Sequence, residues 1–143
     1  MRARVVARAT TDTNDTLLTA AQLNLYINQS LQQLSLEADW PWQKVTDYSQ
    51  ALAANALSFT PGTGWYRTVS LTHAATGEPL VRYAPKVLDR YIGTGQPYIY
   101  APDGLVIRVA PTADQAYTLI HRYFRYEPVL SADGDTPLVP YVV

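Results

Sequence analysis

Apolar and polar positions recur along this chain with two different periods, and the period changes near residue 40. Between residues 20 and 37 the spacing is helical. Leu23, Tyr26, Ile27, Ser30, Leu31 and Leu34 fall on one stripe, with Asn24, Asn28, Gln32 and Gln33 opposite. Thr19-Ala20-Ala21-Gln22 has the form of a capping box, a Thr N-cap with a Gln three residues on. The pattern predicts a helix from about Ala20 to Glu37. Asp39-Trp40-Pro41-Trp42 ends it, because Pro41 disfavours helical geometry at Trp40. Residues 2–8 are a candidate short first helix, and the polar residues 10–15 form a loop between the two.

From Lys44 onward the period is that of strands. Ala56-Leu57-Ser58-Phe59-Thr60 alternates, Pro61-Gly62-Thr63-Gly64 supplies a turn, and Trp65-Tyr66-Arg67-Thr68-Val69-Ser70-Leu71 alternates again. Residues 73–77 read as a loop, 79–83 as a short strand and 84–91 as one or two helical turns. A hairpin follows. Tyr98-Ile99-Tyr100 leads into Ala101-Pro102-Asp103-Gly104, with Pro102 at the second turn position and Gly104 at the fourth, and Leu105 to Val109 returns. Residues 111–114 form another turn, and 116–126 the longest strand. Short strands with regular turn punctuation indicate an antiparallel sandwich or barrel. The predicted class is α+β in a single domain: N-terminal helices over 1–40, one long and one short, an antiparallel β-sandwich or barrel over 44–130, and an extended C-terminal segment over 131–143.

The longest strand has two mixed faces. Tyr117, Leu119, His121, Tyr123 and Arg125 share one; Thr118, Ile120, Arg122, Phe124 and Tyr126 share the other. A sheet with one wet face shows one polar face. Here both are aromatic and carry a cation, so one side is expected to be covered by another protein, and the sequence does not say which. Tyr and Arg are the residue types that anchor interfaces.

Composition narrows the function. Of 143 residues 48% are apolar, enough for one core, and eleven Tyr against two Phe imply many half-buried aromatic positions. A formal net charge of -1 with no dense run of either sign argues against a protein that coats nucleic acid. There is no Cys, which excludes disulfides and thiolate metal sites. No apolar stretch approaches a membrane span, and Met1 to Arg8 is not followed by the apolar run of a signal peptide.

Chemistry-bearing motifs are missing. His73, in a predicted loop, and His121, on a strand, have no second His or Cys at ligand spacing, and both are expected at a surface or interface. Asp133-Gly134-Asp135 resembles a fragment of a calcium loop but lacks the third carboxylate and the closing Glu. Gly93-Thr94-Gly95 is not followed by a third Gly that opens a helix, and no Ser stands in a nucleophile elbow. No catalytic residue, cofactor or metal is predicted. Trp40 and Trp42 are expected to plug the junction after the helix rather than to stack a ligand.

The order of elements resembles phage head-to-tail adaptor (head-tail connector) subunits. Leu23-Asn24-Leu25-Tyr26-Ile27-Asn28 followed by Asp39-Trp40-Pro41-Trp42 is similar to their opening helix and aromatic cluster. Gly95-Gln96-Pro97-Tyr98-Ile99-Tyr100 is similar to their Gly-x-Pro strand start, and Leu105 to Pro111 with Asp114 and Tyr117 to their hydrophobic strand, Pro turn and long return strand. Leu130 to Tyr141 resembles the segment that leaves the β region. The resemblance covers most of the chain. Its members continue into a C-terminal helix where this sequence has Val143, so a neighbouring subunit or partner is expected to supply that part.

The resemblance implies a structural virion protein and not an enzyme. It implies a dodecameric ring of identical copies in the neck between capsid and tail, made in the host bacterial cytoplasm. Its partners are the portal, the tail or tail-terminator proteins, and the DNA in the channel, touched weakly and without sequence preference; no membrane is involved. Tyr26, Arg122, Phe124, Arg125, Tyr126 and Tyr141 are the candidate interface residues, and Trp40 and Trp42 the structural junction. Two other readings fit the residues: a tail-terminator or baseplate sandwich, and a β-sandwich ligand-binding module using Trp40, Trp42 or Trp65.

Overall fold

The computed structural model describes residues 19–131 and 135–139. The candidate first helix, the 10–15 loop, Asp133, Gly134 and Tyr141 lie outside the described residues. The chain divides into two compact units, one made of residues 1–43 and 126–143, the other of 44–125.

The first unit is built on α1 (Ala20–Glu37). Gln22 N–H donates to Thr19 Oγ1 at 3.2 Å, and Thr19 N–H donates to Gln22 Oε1 at 2.9 Å. The capping box therefore satisfies two amides that the helix itself leaves unpaired. The inner stripe is turned relative to the predicted one. Asn24 and Asn28 lie on the half-buried side with Leu23, Ile27, Leu31 and Leu34, while Tyr26 and Ser30 are exposed. The cause is Asn28. Its Nδ2–H donates to the Leu130 carbonyl at 3.0 Å, and its Oδ1 accepts the Leu130 N–H at 2.9 Å. One carboxamide thus pairs a returning chain segment as a neighbouring strand would. At the other end no basic residue faces the last turn. Instead Trp40 Nε1–H donates to the Leu34 carbonyl at 2.7 Å, occupying one of the four acceptors a helix end leaves open. A 3-10 turn, Pro41–Gln43, follows. Beyond residue 125 the buried Glu127 accepts from the amides of Leu138 and Val139.

The second unit contains β1 (Lys44–Leu52), β2 (Ser58–Phe59), β3 (Trp65–His73), β4 (Val81–Arg82), α2 (Pro85–Leu88), β5 (Thr94–Gly95), β6 (Ile99–Asp103), β7 (Val106–Ala110), β8 (Thr112–Ala113) and β9 (Tyr117–Arg125). They form three sheets, in the orders β1-β9-β3, β2-β7-β6-β4 and β5-β8. β4 pairs with β6, and β5 with β8, in parallel; the other pairings are antiparallel. None of the three sheets closes on itself. The observed class is therefore mixed α and β with mostly strands, in place of a wholly antiparallel sandwich or barrel. Both parallel pairings are only two residues long, too short to leave a period in the sequence.

Leu52, Phe59, Leu71, Leu80, Tyr100, Ile107, Val109, Ala113 and Leu119 make one core that draws on all three sheets. Burial of each large side chain there contributes roughly 1.5–3 kcal/mol. A smaller cluster, Leu88, Ile99, Ala101 and Ala110, lies beneath α2. β9 is the predicted longest strand, but β1 and β3 match its nine residues. The hairpin turn sits later than predicted. Asp103 pairs with Val106, leaving Gly104 and Leu105 as the loop, and Gly104 has φ +61° while Leu105 stays out of that region, the φ pattern of a type II′ turn. Pro102 therefore belongs to β6, opposite Ile107. That is a non-hydrogen-bonded pair next to the closing pair, so its missing N–H costs nothing there.

Candidate functional site

Alternation along β9 settles which face turns inward. Leu119, His121 and Tyr123 are buried and Tyr117 half-buried, while Thr118 is exposed and Ile120 and Arg122 half-buried. Phe124 is buried although it lies on the outward side. The Arg67 guanidinium covers its ring, 4.8 Å from the centroid, and Tyr66 lies at 6.3 Å.

Both histidines are buried, against the expectation of surface positions. His73 is the last residue of β3 rather than part of a loop, and its Nε2 lies 2.6 Å from the Pro97 carbonyl. His121 Nε2 lies 2.9 Å from Thr68 Oγ1, which also accepts the Trp65 Nε1–H at 3.0 Å. A polar ring is buried at low cost when such partners meet it. Since the indole can only donate, the Thr68 hydroxyl hydrogen is left for His121 Nε2, and the ring's own hydrogen falls on Nδ1, which has no partner. Burial lowers the His121 pKa to about 4, against a weaker upward pull from the Asp47 carboxylate. At neutral pH the ring is an uncharged member of the core.

The other candidate residues are scattered. Tyr26, 53% exposed, stands on the outer face of α1 with Leu25 and Leu36, and Tyr126 is exposed. Arg125, opposite Trp65 in the register, keeps a buried Nε without a hydrogen-bond partner. Trp40 and Trp42 are half-buried and stacked, centroids 4.7 Å apart and planes inclined by 15°. The second unit also exposes Val81, Tyr83, Tyr91 and Tyr98, with Tyr91 and Tyr98 edge to face at 5.9 Å. Ile92 is 96% exposed and Leu105, at the hairpin tip, 86%. These side chains were not singled out from the sequence, since exposure of a large apolar residue leaves no local signal. Among the described residues no cluster of His, Asp and Glu could hold a metal ion, and no helix is long and apolar enough to cross a membrane.

The family model for the SU10 adaptor protein matches residues 3–143 of the chain. No curated protein matches it.

Proposed function

The chain belongs to the SU10 adaptor protein family, a family of phage structural adaptors and not an enzyme class, and from that premise we propose that it is a head-to-tail adaptor. Identical copies close into a ring, a dodecamer by resemblance, under the portal in the virion neck. The ring lengthens the DNA channel and offers a docking face to the tail or its terminator proteins. The match over residues 3–143 carries this reading.

Two features of the surface support it. A ring of rotated copies needs two different complementary faces on each subunit. The exposed tyrosines 83, 91 and 98, with Ile92 beside Tyr91 in sequence, supply an aromatic one, of the composition that interfaces favour. The second feature is α1, where Glu37 is the single charged residue of eighteen. Helices facing water normally carry charge on their outer side. The outer side of α1 instead presents Leu25, Tyr26, Gln29, Gln33 and Leu36, and we assign it to the portal contact. Tyr126 and Tyr141 belong to the contacts between copies.

Co-expression with the portal, followed by a sizing column with light scattering, tests the proposal. Co-elution at the mass of a portal carrying a ring is expected. A chain that elutes only as a compact monomer and never with the portal overturns it.

A further inference from the structure

The hairpin between β6 and β7 ends on a side chain that its turn does not need. Gly104 and Leu105 are the whole loop, and of the two only Gly104 takes a positive φ. Gly, Pro, Asn, Asp and Ser are the residues that shape turns. Leu105 stands there instead, 86% exposed, an apolar knob on a loop too short to withdraw it. Two residues before it lies Asp103. Its partner Arg108 is 3.6 Å away and is held more closely by Asp89, at 2.7 Å. The tip therefore combines one apolar side chain with one loosely held carboxylate.

The other end of β6 borders an apolar patch. Val81 N–H donates to the Tyr98 carbonyl at 2.9 Å, and the Tyr98 ring meets the Tyr91 ring edge to face. Ile92, next to Tyr91 in sequence, is 96% exposed, and Val81 and Tyr98 are each more than half exposed. Apolar side chains gathered in water mark a contact site. Arg82, Lys86 and Arg90 interleave with the patch in sequence. All three are exposed and have no hydrogen-bond or ion-pair partner among the described residues. The patch is thus aromatic and cationic where the tip is aliphatic and anionic. Five residue steps of extended chain, about 17 Å, separate Tyr98 from Asp103. The tip of a copy therefore does not reach its own patch.

We propose that Leu105 of one copy seats in the patch of Val81, Tyr91, Ile92 and Tyr98 on the next copy, with Asp103 among the cations around it. The proposal rests on the adaptor reading and deepens it by naming two faces that meet in the ring. Charge selects this pairing. Patch against patch brings cations together, tip against tip brings carboxylates together, and like charges across an interface are unfavourable. Tip against patch joins opposite charges. It is also heterologous, the kind of contact that closes a ring by rotation. One leucine buries far less than the roughly 1,200 Å² of a stable interface. It is an anchor within a larger contact, and free copies bind one another weakly.

The chain has no Cys, so a thiol placed in it reports on its own position. Leu105→Cys and Ile92→Cys chains are treated with a short bifunctional thiol reagent, singly and mixed, with and without the portal. Cross-linked dimers are expected in the mixture and from neither variant alone, with the yield raised by the portal. Leu105→Cys mixed with Tyr48→Cys, an exposed position of β1, gives none. Leu105→Ser and Ile92→Ser are expected to lower the yield of ring on the portal several-fold, with circular dichroism unchanged because both side chains lie in water. No dimer in the mixture, equal dimer with Tyr48→Cys, dimers from either variant alone, or an unchanged ring yield in both Ser variants overturns the proposal. A cross-link from Leu105→Cys to the portal shows a tip for the portal and also overturns it. Co-elution with the portal without cross-links between copies removes this contact and leaves the adaptor reading standing. Cross-links in a chain that never meets the portal sink the adaptor reading and leave the contact.

Discussion

Gly62 and Tyr123 are shaped to one another: a methyl group on Gly62 would stand 2.2 Å from the Tyr123 hydroxyl oxygen and 3.1 Å from the ring carbon that bears it. The tyrosine cannot swing aside freely. Its ring is buried and lies 4.7 Å from that of His121. Gly62 also fixes the start of β3, since its carbonyl accepts the Trp65 N–H at 3.1 Å. Gly62 is not in the left-handed region, so the contact alone sets the cost of a side chain. Gly62→Ala is expected to destabilise the fold by about 1–3 kcal/mol, the range of overpacking. Adding Tyr123→Phe removes the oxygen nearest the new methyl and recovers part of the loss. Urea unfolding of the two variants measures both; a Gly62→Ala protein as stable as wild type shows that the ring yields.

Asn28 is the second place where one side chain holds distant backbone. It pairs both polar groups of Leu130, 102 residues away, in a partly buried setting. Asn28→Ala leaves a donor and an acceptor unpaired and is expected to cost about 1–3 kcal/mol. The specific readout is hydrogen exchange at the Leu130 amide, which loses protection in Asn28→Ala. Unchanged protection there contradicts the pairing.

Features with local determinants were legible in the chain, and features closed by distant partners were not. The capping box of α1 is satisfied within four consecutive residues, so Thr19 and Gln22 announced the helix start. The turn of the helix stripe depended on Leu130, and no periodicity places Asn28 inward. β1 was read as β signal without a strand, because its register shifts between Asp47 and Gln50 and breaks the alternation. The two faces of β9 looked alike because His121 counts as polar until Thr68, 53 residues earlier, supplies its partner. Of the candidate site, the outward side of Arg122 was legible as one of two choices. Its neighbours Thr46 and Ser70 needed the registers of β1 and β3, which sequence alone does not give. The position of Pro102 hinged on which residue pair closed the hairpin, a question of one register step.

The buried His121 makes stability depend on pH in a definite direction. Its folded pKa of about 4 lies below the ordinary 6.5, because burial penalises the charged ring. Protonation would also place a hydrogen on Nε2, and the Thr68 hydroxyl hydrogen would then lose its acceptor. The unfolded chain thus binds this proton more readily than the folded one. Stability from His121 is fully present above about pH 6.5 and is lost as the pH falls toward 4. With solvent screening allowed for, the loss by pH 4.5 is on the order of 2 kcal/mol. Carboxylates begin to titrate at the same acid end, so wild type alone does not isolate the effect. His121→Gln does, because its amide can still meet Thr68 but carries no proton equilibrium in this range. Urea unfolding at pH 7.5 and pH 4.5 is compared for the two proteins. Wild type is expected to lose more stability between these pH values than His121→Gln, by that same order. Equal losses would mean that the folded ring accepts its proton as easily as the unfolded one, and that the core around Thr68 and Trp65 admits the charge.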